Sequence, residues 1–386
     1  LIMRVKSFGF EIEFPIIQFG VFESWHPKLD SLRVPGRLYR DATPCAEYAT
    51  AVNTDYNELM NECFEVFRKV KDAVVGSSST SCILFIGRLP RVASPCSGHI
   101  HVGKPKGLRA KESTQLLRCL HGSQTLMELL AQNAKSGAHA DGRARDSRGY
   151  YQFYHLQEDY PLNRFFHAYT WNEHKTVENR IPPSTDFYHL LTLLAVETAW
   201  INHYNGKTTF DLKENYHQAT EFGADGKYWV FLGSEAVLVP YSAYVALHLK
   251  RIEKELKAEL KKMETKNRKR VEHYLEFLKY TTMSEFLSKK TIGTLKNLTN
   301  RLLSDEKSYI DDVKIESPKV PVKKVSMNDI LEIIEKGKNS KEYQEIQRTK
   351  AFIEAIKTGK LSRIKDPSDL KVAKKILGDR QIEEVI

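Results

Sequence analysis

The segment GFEIEF, residues 9 to 14, alternates apolar and acidic positions: Phe10, Ile12 and Phe14 against Glu11 and Glu13. A period of two predicts a strand with one face on a core and both carboxylates on the other. From there to about residue 240, short apolar runs alternate with helical patterns. In DYNELMNECFEVFRKVKDAV (55–74), Tyr56, Leu59, Met60, Cys63, Val66, Phe67 and Val70 recur at helical spacing and predict one buried stripe. CILFIG follows a serine-rich loop at 77–81 and reads as a strand. Residues 111–135 read as a second helix through Leu116, Leu117, Leu120, Leu126 and Leu130. STDFYHLLTLLAVETAWINHY is apolar nearly all round and predicts a central helix, capped by Ser184 or Thr185 with Asp186 in its first turn. Asp225-Gly226 between two strand-like runs signals a hairpin.

The texture changes after Pro240. Val245, Leu249, Ile252, Leu256, Leu260 and Met263 recur every three or four residues among Lys and Glu, which predicts one long amphipathic helix. Helical stretches continue to about residue 310. Residues 311–325 lack periodicity and contain Pro318 and Pro321, so they read as a linker. Ser326 and Asp329 offer a start for a small helical unit over 326–386. The expected organisation is a body of strands and helices over 1–240, a helical extension over 241–310, the linker, and that terminal unit.

Composition narrows the class. The 386 residues are 41% hydrophobic and 28% charged, the balance of a soluble globular chain with a sizeable core. No apolar run spans a membrane and nothing at the start resembles a signal peptide, so a cytoplasmic protein without membrane contact is expected. Met3 reads as the natural start. Five cysteines, an odd number without C-x-x-C spacing, predict packing residues rather than disulfides or a cysteine-ligated zinc. Residues 241–386 carry 33 Lys+Arg against 23 Asp+Glu, and the remainder of the +10 chain is neutral at 26 against 26. A basic appendage suggests a polyanionic partner such as nucleic acid; lysine-rich solvated helices give the same count.

Chemistry enters through further doublets of period two. Glu11 beside Glu13 is unfavourable unless cations or basic groups lie between them, although a half-buried edge strand with a wet acidic face would also display them. In SGHIHVG, His99 and His101 share one strand face, and in KTVENRIPPS, Glu178 and Arg180 do. Glu47 lies in a further strand-like run, RDATPCAEYAT. Carboxylates with one or two imidazoles suit magnesium or manganese better than zinc. Surface imidazoles on an edge strand are the alternative for the histidine pair.

The order G-x-E-x-E, strand glutamate, H-x-H-V-G and T-x-E-x-R over residues 3–240 resembles the amidoligases, carboxylate-amine ligases of the glutamine synthetase and glutamate-cysteine ligase superfamily, possibly their phage and virus forms. That resemblance implies an α+β fold, a curved antiparallel sheet with helices on its outer side, to which the periodicity after Pro240 adds a helical C-terminal region outside the resemblance. It implies ATP and Mg2+ or Mn2+, an amide bond made through an acyl phosphate, and Glu11, Glu13, Glu47, His99 and Glu178 as metal ligands. Carried over motif by motif, His101, Arg143, Arg145, Arg148 and Arg180 contact the nucleotide, and Arg145, Arg148 and Arg180 serve the phosphate transfer. One histidine of the pair meets metal or phosphate, with His99 favoured for the metal. The three loop arginines lie in DGRARDSRGYYQF, and Lys104 and Lys106 could approach a phosphate, as could solvated surface residues. Tyr150, Tyr151, Phe153 and Tyr154 read as core or as an adenine pocket, and Glu197 has no assigned role. The long acidic loops of glutamine synthetases are not visible, so glutamate and ammonia are not implied. Expected partners are a small carboxylate and amine or a macromolecular acceptor. The competing functions are a kinase on the same fold, or a nucleic-acid-binding protein with an inactive ligase-like body.

Overall fold

A computed structural model describes residues 5–40, 45–76, 81–85, 96, 98–103, 116, 119–120, 122–131, 169–171, 176–204, 227–232, 235–281 and 283–315. The fold is mixed, with antiparallel sheets and helices. The predicted first strand is β1 (Phe8–Phe14), and it lies inside a six-stranded sheet. Its companions are β4 (Arg37–Arg40), β5 (Ala46–Ala49), β7 (Gly98–Gly103), β8 (Tyr169–Trp171) and β9 (Thr176–Asn179), in the order β4-β5-β1-β7-β9-β8. Every neighbouring pair is antiparallel. A smaller sheet orders β2 (Ile16–Gln18) between β3 (Val21–Glu23) and β6 (Cys82–Ile83).

One face of the large sheet forms the core, as the alternation requires. Phe8, Phe10, Ile12 and Phe14 are buried against α1 (Tyr56–Val75), where Phe8 stacks on Tyr56 at 4.6 Å and Phe14 meets Phe67 edge-on at 5.1 Å. Asp55 caps α1 by accepting from Asn57 N and Glu58 N. A helical segment α2 (Gln124–Ala131) buries Leu126 and Leu130 at the predicted spacing. The central helix is α3 (Phe187–Tyr204), buried from Phe187 to Ile201. Its cap is Asp186 rather than Ser184 or Thr185: Asp186 Oδ1 accepts from Tyr188 N at 2.7 Å. An aspartate directly before the first turn reaches those orphan amides best.

Two sequence expectations are corrected. The periodic run after Pro240 is not one helix but α4 (Tyr241–Arg251), α5 (Glu253–Leu260) and α6 (Thr265–Phe277), broken at Ile252 and again over 261–264. An unbroken apolar stripe records which face is buried, and a chain that bends around one partner keeps that stripe; α5 and α6 both pack on α3. A two-stranded sheet pairs β10 (Lys227–Leu232) with β11 (Glu235–Pro240), and the hairpin turn expected at Asp225-Gly226 lies outside the described residues. Cys45 and Cys96 form a disulfide with a Cα separation of 6.6 Å, whereas Cys63, Cys82 and Cys119 are buried free thiols, the packing role expected of all five.

Two short helices follow, α7 (Met283–Ser288) and α8 (Ile292–Asp305). Residues 1–228 and 240–322 fall in one compact unit, and residues 229–239 with 323–386 in another, to which most of the β10–β11 hairpin belongs. Among the described residues, no helix is long and apolar enough to cross a membrane.

Candidate metal and substrate site

The face of the large sheet opposite the phenylalanines carries the acidic and histidine doublets. Register brings them together: Glu11 lies directly across from His99, and His101 directly across from Glu178. On the other side of β1, Glu13 is opposite Glu47, which is opposite Tyr39. Directly opposed residues of adjacent strands hold their Cβ atoms roughly 4.5–5.5 Å apart, so five strands deliver one continuous chemical surface.

At its centre, Glu11, His99, His101 and Glu178 each offer a ligand atom within 4.8 Å of the others. His99 Nδ1 lies 2.8 Å from Glu11 Oε2 and 3.2 Å from Glu178 Oε1, and His101 Nε2 lies 3.3 Å from Glu11 Oε1. The His101 ring is held from behind, its Nδ1 3.0 Å from the Thr176 hydroxyl, so Nε2 turns towards the carboxylates. Arg180 places Nε 2.9 Å from Glu178 Oε1. Glu13 and Glu47 border this group: Glu13 Oε1 is 4.0 Å from His99 Nε2, and Glu47 Oε1 accepts from the Tyr39 hydroxyl at 2.5 Å.

The electrostatics follow from that crowding. Burial pushes the Glu11 carboxyl upward, but hydrogen bonds to His101 and His99 and their charges outweigh it and hold Glu11 well below the ordinary carboxylate range. Burial works against the charged form of His101, and the Glu11 hydrogen bond with the Glu11 and Glu178 charges raises its pKa nonetheless. Two carboxylates and two imidazoles converging over a few ångströms form a donor set that a divalent cation fits, since ligands about 2.0–2.3 Å from one ion lie within about 4.5 Å of each other.

Of the residues singled out by sequence, the structure gathers Glu11, His99, His101, Glu178 and Arg180, with Glu13 and Glu47 beside them. Arg143, Arg145, Arg148, Lys104, Lys106 and the aromatic set at 150–154 lie outside the described residues. Glu197 is elsewhere, on α3, where it accepts from Asn179 Nδ2 at 2.5 Å on the core side of β9. Sequence reasoning missed Thr176 and Tyr39. Thr176 stands two residues before Glu178 and shares its face, a signal that the period of two already contained. Tyr39 had no such pointer, because its strand is short and polar.

No family model matches this chain and no curated protein matches it in sequence. Solved structures do resemble it in fold. The ligase PafA, in complex with the prokaryotic ubiquitin-like protein Pup, is 9% identical over 80% of this chain and 71% of its own, with a TM-score of 0.42. The bifunctional glutathione synthetase of Pasteurella multocida is 11% identical over 78% of this chain and 50% of its own (TM-score 0.47), so about half of that longer enzyme is spanned. Glutamate–cysteine ligase of Francisella tularensis, solved with AMP, is 12% identical over 87% of this chain and 99% of its own (TM-score 0.46). Two of these neighbours are named as ligases and one as a synthetase. Similarities this distant decide nothing about chemistry, which has to be read from the side chains on the sheet.

Proposed function

We propose that the protein is an ATP- and divalent-metal-dependent carboxylate-amine ligase. One observation carries the reading: Glu11, His99, His101 and Glu178, from three neighbouring strands, converge within 4.8 Å on the sheet face opposite the core. Buried acids this close need a cation or basic partners to offset their desolvation, and a divalent cation would share that task with the two imidazoles and Arg180. The motif order named above supports the same reading.

In the proposed reaction the substrate carboxylate attacks the γ-phosphorus of ATP and ADP leaves. The amine then attacks the acyl carbon, phosphate leaves, and the amine loses a proton to give the amide. Mg2+ or Mn2+, when bound, would supply positive charge to neutralise the phosphate oxygens. The chain's own contribution is placement. Glu11, Glu178 and the two imidazoles would hold the first cation, and Glu13 with Glu47 would extend the donor set along the next row of the face. Thr176 fixes the His101 ring, and Arg180, held by Glu178, presents guanidinium donors suited to phosphate or carboxylate oxygens.

The test has two arms. Electron paramagnetic resonance during Mn2+ titration should show stoichiometric binding, weakened at least tenfold by Glu178→Gln or His99→Ala. With ATP and Mn2+, phosphate release should require both a carboxylate and an amine. ADP formed without free phosphate would mark a kinase instead, and the absence of Mn2+ binding would remove the metal-dependent reading altogether.

A further inference from the structure

The sheet face that carries Glu11 also carries a gap. Register sets Arg37, Ala49, Glu11 and His99 side by side across β4, β5, β1 and β7. Ala49 puts only a methyl group between Arg37 and Glu11, whose backbone positions are two strand spacings, roughly 10 Å, apart. Gly9, one step along the same face of β1, has no side chain, and the Thr50 hydroxyl lies where one would start: a Cβ there would sit 2.9 Å from Thr50 Oγ1. Gly36 lets the chain entering β4 lie directly on β5: a Cβ there would sit 2.0 Å from the Ala49 carbonyl oxygen. Beside these close approaches lies a cavity of about 300 Å³, lined by Gly9, Ala49, Ala51, Tyr39 and Val52, with Glu11 and His101 among its polar groups.

We propose that this cavity receives the apolar body of the acyl substrate, a compact monocarboxylic acid with a branched aliphatic chain or one aromatic ring, its carboxylate lying at the Glu11–His101 end. The assignment rests on the ligase reading and adds the substrate class. The exposed lining is mostly carbon, and the volume is at the small end of ligand pockets. An ammonium or amide group on the substrate would give up hydration for a lining that is mostly carbon, in which Ser7, Thr50 and Thr176 supply the hydroxyls. Arg37 lies at the rim, exposed, its guanidinium 4.8 Å above the Tyr39 ring. A second substrate carboxylate would pair with a cation that water already solvates, and such exposed pairs contribute little. Burial of an apolar body scales with its area and therefore decides the preference.

The experiment offers isovalerate, benzoate and phenylacetate against glutarate and glutamate, each with ATP, Mn2+ and hydroxylamine as the amine. It reads hydroxamate formation, and separately the calorimetric binding of each acid to the Mn2+-loaded protein. The wild type should process and bind the apolar monoacids at least tenfold better than the diacids. Ala49→Leu, which fills the cavity, should cost at least tenfold on both readouts while leaving the Mn2+ titration unchanged. Val52→Ser, at an exposed wall position that folding does not depend on, should weaken the apolar acids severalfold. A preference for diacids, or apolar acids indifferent to both variants, overturns the proposal. If apolar acids bind the wild type but not Ala49→Leu and no acid yields hydroxamate, the cavity assignment stands and the ligase reading falls. Hydroxamate made only from acids that neither variant impedes has the opposite meaning.

Discussion

Glu13 and Glu47 face one another across the β1–β5 ladder, 2% and 4% exposed. Like charges directly opposite in a sheet destabilise it, by up to about 1 kcal/mol for such a pair. The metal-free protein should therefore gain up to that amount in urea unfolding when Glu13→Gln removes one charge, and the same variant should lose ATP turnover. A variant that is less stable yet fully active would show that Glu13 belongs to the structure and not to the chemistry. This prediction lives on the link between register and charge, and much of that link was legible in the sequence. Period-two spacing put Glu11 with Glu13, His99 with His101 and Glu178 with Arg180 on shared faces. What it could not supply was which strands are neighbours. Pairing between β1 and β7 joins residues nearly ninety apart in the chain, and no local pattern encodes that choice. The second histidine illustrates the limit: His101 was expected at the nucleotide, and only the cross-strand pairing with Glu178 sets it inside the same four-residue group.

At the scale of elements, helix α1 does more than cover the sheet. Its Glu62 accepts from the Tyr48 hydroxyl at 2.5 Å, from Ala51 N at 2.7 Å and from Asn53 Nδ2 at 2.9 Å. The helix thus fixes strand β5 and the 50–53 loop, the stretch that floors the cavity beside Glu11. Burial and the Glu62 hydrogen bond push the Tyr48 hydroxyl above its usual range, so that it stays a neutral donor. Charged acceptors make hydrogen bonds of about 1.5–3 kcal/mol each, and truncation would leave three donors without their acceptor. Glu62→Ala should cost about 3 kcal/mol or more in chemical denaturation; a loss below 1 kcal/mol would mean that the loop finds other partners. The sequence placed this helix within a residue or two, because its apolar stripe is strong. It gave no sign of the role of Glu62, a position that reads as solvated until the β5 edge is known to lie above it. The Cys45–Cys96 bridge was hidden for the same reason: an odd cysteine count argues against a framework but says nothing about two thiols brought together by strand order.

At the scale of the molecule, the basic excess after Pro240 takes on a plainer aspect in the described helices. Lys250, Lys257, Lys262 and Lys279 each meet a glutamate one helical turn away. Such pairs solvate a surface and contribute little to stability. The larger lever is inside. Burial raises the Glu197 carboxyl from 4.5 to about 8 against the Asn179 hydrogen bond, and burial raises Asp186 to about 7. Burial lowers His189 to about 4 and His248 to about 3. A carboxyl raised on folding favours the protonated native state, so its contribution is complete below the unfolded pKa and is lost as pH rises through the folded one. A histidine lowered on folding acts in reverse, adding stability between its folded pKa and the usual 6.5. Between pH 5 and 6.5 the two effects oppose each other, and from 6.5 to 8 the carboxyls act without the histidines. Comparing wild type with Glu197→Gln isolates one group and cancels every other titration. The wild type should lose stability relative to that variant by about 1.4 kcal/mol per pH unit from pH 5 to 8, the slope of a single proton. Urea midpoints converted with a common m-value measure the difference directly. Parallel profiles would show that Glu197 keeps an ordinary pKa, and that water reaches α3 where the packing has none.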